Sequence, residues 1–287
     1  MTAAKTLRFG FSPCPNDTFQ FFALIEGLID TGDYRFEPVL ADVEVLNRRA
    51  LNGELELTKA SYGALSRLLP AYWCLRSGGA LGNGCGPLWV ANGAPGGAAD
   101  GARSPEELAA LPIAHPGENT TAYLLLKLRL GREIKGVPMI FSEVMERVSS
   151  GQYPSGVIIH EGRFTYRDQG LVEVEDLGRW WEETTGAPIP LGCILLKRDV
   201  AGVDPKEVEA LLRQSLQYAR ANPGEVMDYV RSHAQELDDE VIGSHIELYV
   251  NDYSLDLGDK GMKAVMELLG RQREIEGGKS WQGRVFP

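Results

Sequence analysis

Four short clusters hold most of the side chains in this sequence that could do chemistry. They are Ser12-Pro13-Cys14-Pro15-Asn16-Asp17-Thr18, Thr58-Lys59-Ala60-Ser61-Tyr62, Gly117-Glu118-Asn119-Thr120-Thr121-Ala122-Tyr123 and His160-Glu161-Gly162-Arg163. His160 follows the short apolar run Val157–Ile159. An imidazole at such a strand end is well suited to proton transfer near neutral pH, and His160 is the leading catalytic candidate. Lys59, Ala60 and Ser61 offer a cation, a hydroxyl and backbone N–H groups to a carboxylate. Thr120 and Thr121 open a helix, where N–H groups and the positive end of the dipole receive anions. Asn16 and Asp17 stand after the first strand, as ligands of the cleft or as caps of the next helix. The structural alternatives stay open here: Ser61 and either threonine can be N-caps, and Lys59 a surface charge. Cys14 carries no cue of a depressed pKa that would make it a nucleophile.

Other chemistries find no support. Gly82-Asn83-Gly84-Cys85-Gly86 lacks the G-x-G-x-x-G spacing and precedes a strand, so it reads as a turn. No P-loop, H-E-x-x-H or G-x-S-x-G sequence occurs. His115, His233 and His245 have no Cys or His partner at ligand spacing, so a metal site is not expected. Cys14, Cys74, Cys85 and Cys193 are scattered and read as reduced thiols.

The elements that must position these clusters alternate between strands and helices, which predicts an α/β fold with largely parallel sheets. Strands are expected at Leu7–Phe11, Phe36–Ala41, Leu55–Leu57, Tyr72–Arg76, Leu88–Ala91, Pro112–Ala114, Met139–Phe141, Val157–Ile159 and Pro188–Leu196. Helices are expected at Asp17–Ile29, Val43–Asn52, Ser61–Leu69, Thr120–Leu130 and Ser142–Ser149, with a helical C-terminal part from Pro205 to Glu276. The Gly/Ala/Asp/Pro-rich stretch up to Pro105 reads as a loop. Gly86–Val90 and Pro190–Leu195 read as two crossings between lobes. The larger lobe would then comprise residues 1–88 and 192–287, the smaller 89–191, with the ligand in the cleft between them. All four clusters fall at strand–helix junctions, where open α/β sheets bind their ligands.

The chain of 287 residues has an ordinary globular composition, 44% hydrophobic and 24% charged, and needs no disulfide or metal staple. A net charge of −11 argues against nucleic acid and anionic membranes as partners, while a few local donors can still hold a small anion. The N-terminus lacks the apolar run of a signal peptide, and no segment approaches about 20 apolar residues, so a cytoplasmic location is expected. Oligomeric state is not legible.

Six segments taken together are similar to one family. They are SPCPNDTF (Ser12–Phe19), LTKASY (Leu57–Tyr62), RSGGALGNGCGPL (Arg76–Leu88), NTTAYLLL (Asn119–Leu126), IIHEGRFTY (Ile158–Tyr166) and PIPLG (Pro188–Gly192). In that order, over nearly the whole chain, they resemble the 1,4-dihydroxy-6-naphthoate synthases of the futalosine route to menaquinone. The resemblance implies a two-lobed fold of the type II periplasmic-binding-protein kind. It also implies a lyase that cleaves cyclic dehypoxanthinylfutalosine, a small carboxylate, to 1,4-dihydroxy-6-naphthoate and dihydroxyacetone without redox cofactor or metal. The family's proton-accepting histidine falls on His160, and its substrate contacts on Lys59-Ala60-Ser61 and Thr120-Thr121. Two other readings are weighed against it: a non-enzymatic solute-binding protein of the same fold, and the related chorismate dehydratase.

Overall fold

The computed structural model describes residues 4–93, 103–234, 238–278 and 283–287. The chain opens with strands β1 (Lys5–Phe11), β2 (Tyr34–Leu40), β3 (Leu57–Ser61), β4 (Tyr72–Cys74) and β5 (Ala80–Gly82). It continues with β6 (Leu88–Asn92), β7 (Ile113–His115), β8 (Gly136–Pro138), β9 (Ser155–Ile158) and β10 (Leu171–Asp176), and returns with β11 (Ile189–Lys197). One sheet has the order β2-β1-β3-β11-β4, with β5 also on β11; the other has the order β10-β6-β9-β7-β8. The backbone therefore crosses from the first sheet to the second after Gly82 and returns after Asp176. Two crossings separate two lobes, as expected.

Pairing is mixed rather than largely parallel. β1 runs parallel to β2 and β3, and β7 to β8 and β9, but β11 is antiparallel to β3, β4 and β5. β6 is likewise antiparallel to both β9 and β10. The reason is the returning crossing, which feeds β11 into the centre of the first sheet from the opposite end. The expected crossing segments are accordingly strands: Leu88–Asn92 lies within the second sheet and Ile189–Lys197 within the first, the connections lying just before each.

Among the elements not expected from the sequence are β5, β10, the helix Gly162–Thr165 and the helix Leu177–Thr185, which Asp176 caps by accepting from the N–H groups of Gly178 and Arg179; the strand expected at Met139–Phe141 lies instead just before that segment, as β8. The helix Pro105–Ala109 begins inside the stretch read as a loop, under a Ser104–Glu107 capping box; most of that loop lies outside the described residues. The helices Pro205–Ala221 and Pro223–His233 match the proline-initiated pattern in the sequence.

The largest apolar core is continuous across the seam. Tyr62, Leu65 and Leu268 of the first lobe pack in one cluster with Trp89, Leu125 and Trp181 of the second. On this side the lobes are fused. They part only where the C-terminal ends of β1, β3 and β9 face one another and polar side chains replace apolar ones.

Candidate active site

That parting is a cleft with about 640 Å³ of free space, its open mouth included. It is lined by Asn16, Asp17, Lys59, Ser61, Thr120, Thr121 and His160, among others. Thus seven of the eight residues singled out in the sequence converge. Ala60 does not reach the cleft: it is fully buried in the apolar core, its carbonyl near the Cys193 thiol. Strand alternation is the reason, since Lys59 and Ser61 point to one face of β3 and Ala60 to the other.

The first-lobe wall is a closed polar network. The Asp17 carboxylate accepts from the Ser12 N–H (3.2 Å) and hydroxyl (2.8 Å) at Oδ2, and from Lys59 Nζ (2.6 Å) and Asn16 Nδ2 (2.8 Å) at Oδ1. Asp17 is therefore no helix cap; it is the counter-ion of a buried lysine. Gly192 on β11 makes room for this lysine, because a Cβ there would meet Lys59 Cε at 2.9 Å. Lys59 keeps two further N–H donors for a ligand, but its charge is already balanced, so an anion would be held mainly by hydrogen bonding. Ser61 ends β3 and does not cap a helix by its side chain. Its N–H donates to Asn47 Oδ1 (2.8 Å), and its hydroxyl accepts from Asn47 Nδ2 (3.0 Å), which leaves the O–H free to donate.

The second-lobe wall works through its backbone. The Thr120 hydroxyl caps the helix Thr121–Leu130, accepting from the Tyr123 N–H and donating to the Gly117 carbonyl. The Thr121 hydroxyl donates to the Leu191 carbonyl (2.6 Å) and accepts from the Gly63 N–H (3.0 Å), tying the lobes together. Both hydroxyls expected to bind ligand are thus occupied within the protein. What the helix start can offer is the N–H groups of Thr121 and Ala122, at the positive end of its dipole. A second tie lies nearby: Asn119 donates through its side chain (2.6 Å) and its N–H (3.3 Å) to the buried Glu44. The seam is so close that a Cβ on Gly63 would meet the Thr120 carbonyl oxygen at 2.6 Å.

His160 stands opposite these donors. Among the described residues it is the one non-glycine residue with positive φ, 56°. Such a left-handed conformation is unfavourable for a residue with a Cβ and is held only where surroundings demand it. Here the chain must turn sharply from β9 into the short helix Gly162–Thr165. Phe141 meets the imidazole edge-on (centroids 4.8 Å, 61°), and His245 lies parallel to it (6.2 Å, 11°).

The neighbours left without a role by the sequence acquire one. Arg163 donates to the Gly86 carbonyl (2.8 Å) and to Asp176 (2.6 Å), pinning the outgoing crossing to the second lobe. Burial, reinforced by Glu161, pushes the Cys14 thiol well above its ordinary range, and burial pushes Cys85 up to about 12. Neither is a thiolate nucleophile at neutral pH. Cys14, His160 and Glu161 each place a potential ligand atom within 4.8 Å of the others. The protonated thiol there opposes metal binding, which requires the thiolate.

His245 is the residue that sequence reasoning missed. It sits on the helix Asp239–Tyr249, fully buried, and its Nε2 is 2.9 Å from Asn16 Oδ1. Burial first, then the positive charges of a protonated His160 and of Lys59, hold its pKa well below the ordinary histidine value. The available signal was its place between Ile242 and Tyr249, on the apolar face of an amphipathic helix. His115, by contrast, is structural: it stacks on Tyr123 (4.0 Å, 17°) and is pushed by burial down to about 4.

Fold and site together define a two-lobed binding-protein architecture with an acid–base side chain at its cleft. The alkanesulfonate-binding protein SsuA from Xanthomonas axonopodis bound to MOPS shares this fold, with a TM-score of 0.68 at 14% identity over 100% of this chain and 97% of that one. A crystal structure of an Archaeoglobus fulgidus protein is nearer, with a TM-score of 0.85 and 34% identity over 95% of this chain and 98% of that one. The family described as menaquinone biosynthesis matches residues 7–274, and the chain belongs to it. Two relatives named 1,4-dihydroxy-6-naphthoate synthase agree. The one from Thermus thermophilus is 49% identical over 92% of this chain and 93% of its own, and the one from Streptomyces coelicolor 39% over 94% and 93%. Among the described residues, no helix is long and apolar enough to cross a membrane.

Proposed function

We propose that this protein is a carbon–carbon lyase, a 1,4-dihydroxy-6-naphthoate synthase. It converts cyclic dehypoxanthinylfutalosine to 1,4-dihydroxy-6-naphthoate and dihydroxyacetone, with His160 as general base. The family and the two named relatives support the activity. The observation that carries the assignment of the base is the strained backbone of His160 at the rim of a cleft lined by hydrogen-bond donors.

The reaction breaks a carbon–carbon bond next to a carbonyl. It needs a base to take a proton and donors to hold the developing oxyanion. His160 supplies the first. The Thr121 and Ala122 N–H groups, the Ser61 hydroxyl and the remaining Lys59 N–H groups supply the second and receive the substrate carboxylate. Asn16 and Asp17 act through Lys59 and His245, aligning both. Residues 1–88 and 192–287 close against 89–191 and keep water from the intermediates. The work of such a biosynthetic enzyme is cytoplasmic, and its ligand is a small carboxylate rather than nucleic acid or membrane.

Mass spectrometry of the products from the cyclic futalosine derivative tests this. Wild type should give the naphthoate and dihydroxyacetone in equal amounts. His160→Ala should lower kcat by roughly 100-fold or more. Unchanged substrate would indicate a solute receptor, and turnover of chorismate alone the related dehydratase.

A further inference from the structure

The polar network does not stop at Asn16. Because Asn16 Nδ2 donates to the Asp17 carboxylate, its amide is oriented with Oδ1 towards His245. Only a protonated Nε2 can donate to that oxygen, so the neutral His245 ring carries its hydrogen on Nε2 and leaves Nδ1 bare. Nδ1 is buried and has no hydrogen-bond partner among the described residues. It faces Glu161 Oε2 at 4.0 Å, an atom equally buried and equally unpartnered. A bare imidazole nitrogen and a bare carboxylate oxygen repel each other, and each left unmatched in the interior is destabilising. One proton between them removes both penalties and turns the repulsion into a charge-assisted hydrogen bond once the atoms close by roughly 1 Å.

The pair also spans the seam. His245 belongs to the first-lobe helix Asp239–Tyr249, whereas Glu161 directly follows His160 in the second lobe. We propose that Glu161 and His245 share one proton across the seam, forming a latch that sets His160 against the substrate, with both as positioning residues. This rests on His160 being the base. The latch completes a line from β3 to the opposite lobe: Lys59, Asp17, Asn16, His245, Glu161. Its neighbour gives it a purpose: Glu161 directly follows His160, whose left-handed backbone fixes where the imidazole points.

The charged and titratable groups facing the pair are few. Cys14 comes from the N-cap of the helix Pro15–Ile25, Lys59 with its counter-ion Asp17 from β3 and that helix, His160 and Arg163 from the turn, and Tyr249 from the helix of His245 itself. Cys14 and Tyr249 are held protonated by burial, and Lys59 is ion-paired, so these three do not compete for the shared proton, whereas the charges of Lys59 and of a protonated His160 oppose it on His245. Raising the pH removes that proton, leaves two lone pairs opposed, and opens the latch. Activity is therefore lost, through this pair, as the pH rises past the point at which the shared proton leaves.

The test compares full-length wild type with Glu161→Ala, Glu161→Gln and His245→Phe. Alanine at 161 and phenylalanine at 245 should each lower kcat by about 10- to 100-fold, the size expected when a reacting group is misplaced. Glutamine donates a permanent N–H to Nδ1, so it should restore kcat to within about threefold of wild type. Its alkaline limb should move to higher pH or vanish. Glutamine as damaging as alanine, or an unmoved alkaline limb, would overturn the latch. Nitrogen-15 spectra of the histidine rings, recorded without substrate, give an independent reading. His245 should show Nε2 protonated, and its Nδ1 signal should titrate in wild type but not in Glu161→Gln. If wild type failed to convert the futalosine derivative while this titration appeared, the proposed activity would fall and the latch would stand. Normal turnover with an Nδ1 signal blind to Glu161→Gln would remove the latch alone.

Discussion

His160 combines two properties that seldom meet: a side chain able to move protons and a backbone conformation that costs free energy. The second gives a prediction separable from catalysis. Glycine adopts positive φ without penalty, so His160→Gly should be more stable than His160→Ala by about 1 kcal/mol in urea unfolding, although both are inactive. A stability order the other way would mean that the turn is not strained. Lys59 and Asp17 make a second residue-scale case. Lys59→Ala leaves a carboxylate buried and unpaired, and should destabilise the protein by about 3–5 kcal/mol. The double variant Lys59→Met with Asp17→Asn should recover much of that loss. The cluster residues were legible in the sequence because junctions of strands with helices concentrate polar side chains. Their partners were not. Nothing local in the sequence tells that Asp17 pairs with Lys59, 42 positions away, or that both threonine hydroxyls are consumed by the protein itself.

At the scale of elements, the seam is held by close backbone approach. Gly63 has ordinary backbone angles, so alanine there costs nothing locally; its Cβ would strike the Thr120 carbonyl. Gly63→Ala should wedge the lobes apart, raising KM and lowering kcat/KM by roughly tenfold or more, while the helix content by circular dichroism stays the same. An unchanged kcat/KM would mean that the seam tolerates the extra atom. The same seam explains which elements the sequence hid. Strands buried on both faces, such as β6 and β11, announce themselves as apolar runs. β10 and β8 are edge strands, and β10 carries Glu173, Glu175 and Asp176, so its alternation is masked by acidic side chains. β3 was placed too early because Lys59 and Ser61 look like the end of a strand, although they are its cleft-facing positions.

For the whole molecule, the fused core explains how an architecture shared with solute receptors can hold a reactive intermediate. Apolar packing fixes one side of the seam, and polar ties at Glu44, Thr121 and Arg163 set the other. Acid should undo this state first. His115 is neutral in the folded protein down to about pH 4, while in the unfolded chain it takes up a proton near its ordinary value of 6.5. Its contribution is thus complete above pH 6.5 and is lost as the pH falls towards 4, on the order of 3 kcal/mol. Urea unfolding between pH 7 and pH 4 should show that decline, and His115→Phe, which keeps the stack on Tyr123 but cannot charge, should flatten it.

On the proposed reading, a binding-protein fold works as a lyase through a base at its cleft. The most direct measurement is mass spectrometry of the products formed from cyclic dehypoxanthinylfutalosine by wild type and by His160→Ala side by side. Equal amounts of 1,4-dihydroxy-6-naphthoate and dihydroxyacetone from wild type, with turnover lowered roughly 100-fold or more in the variant, is the predicted result. Wild-type rates from His160→Ala, or bound substrate released unchanged by the wild type, would contradict it.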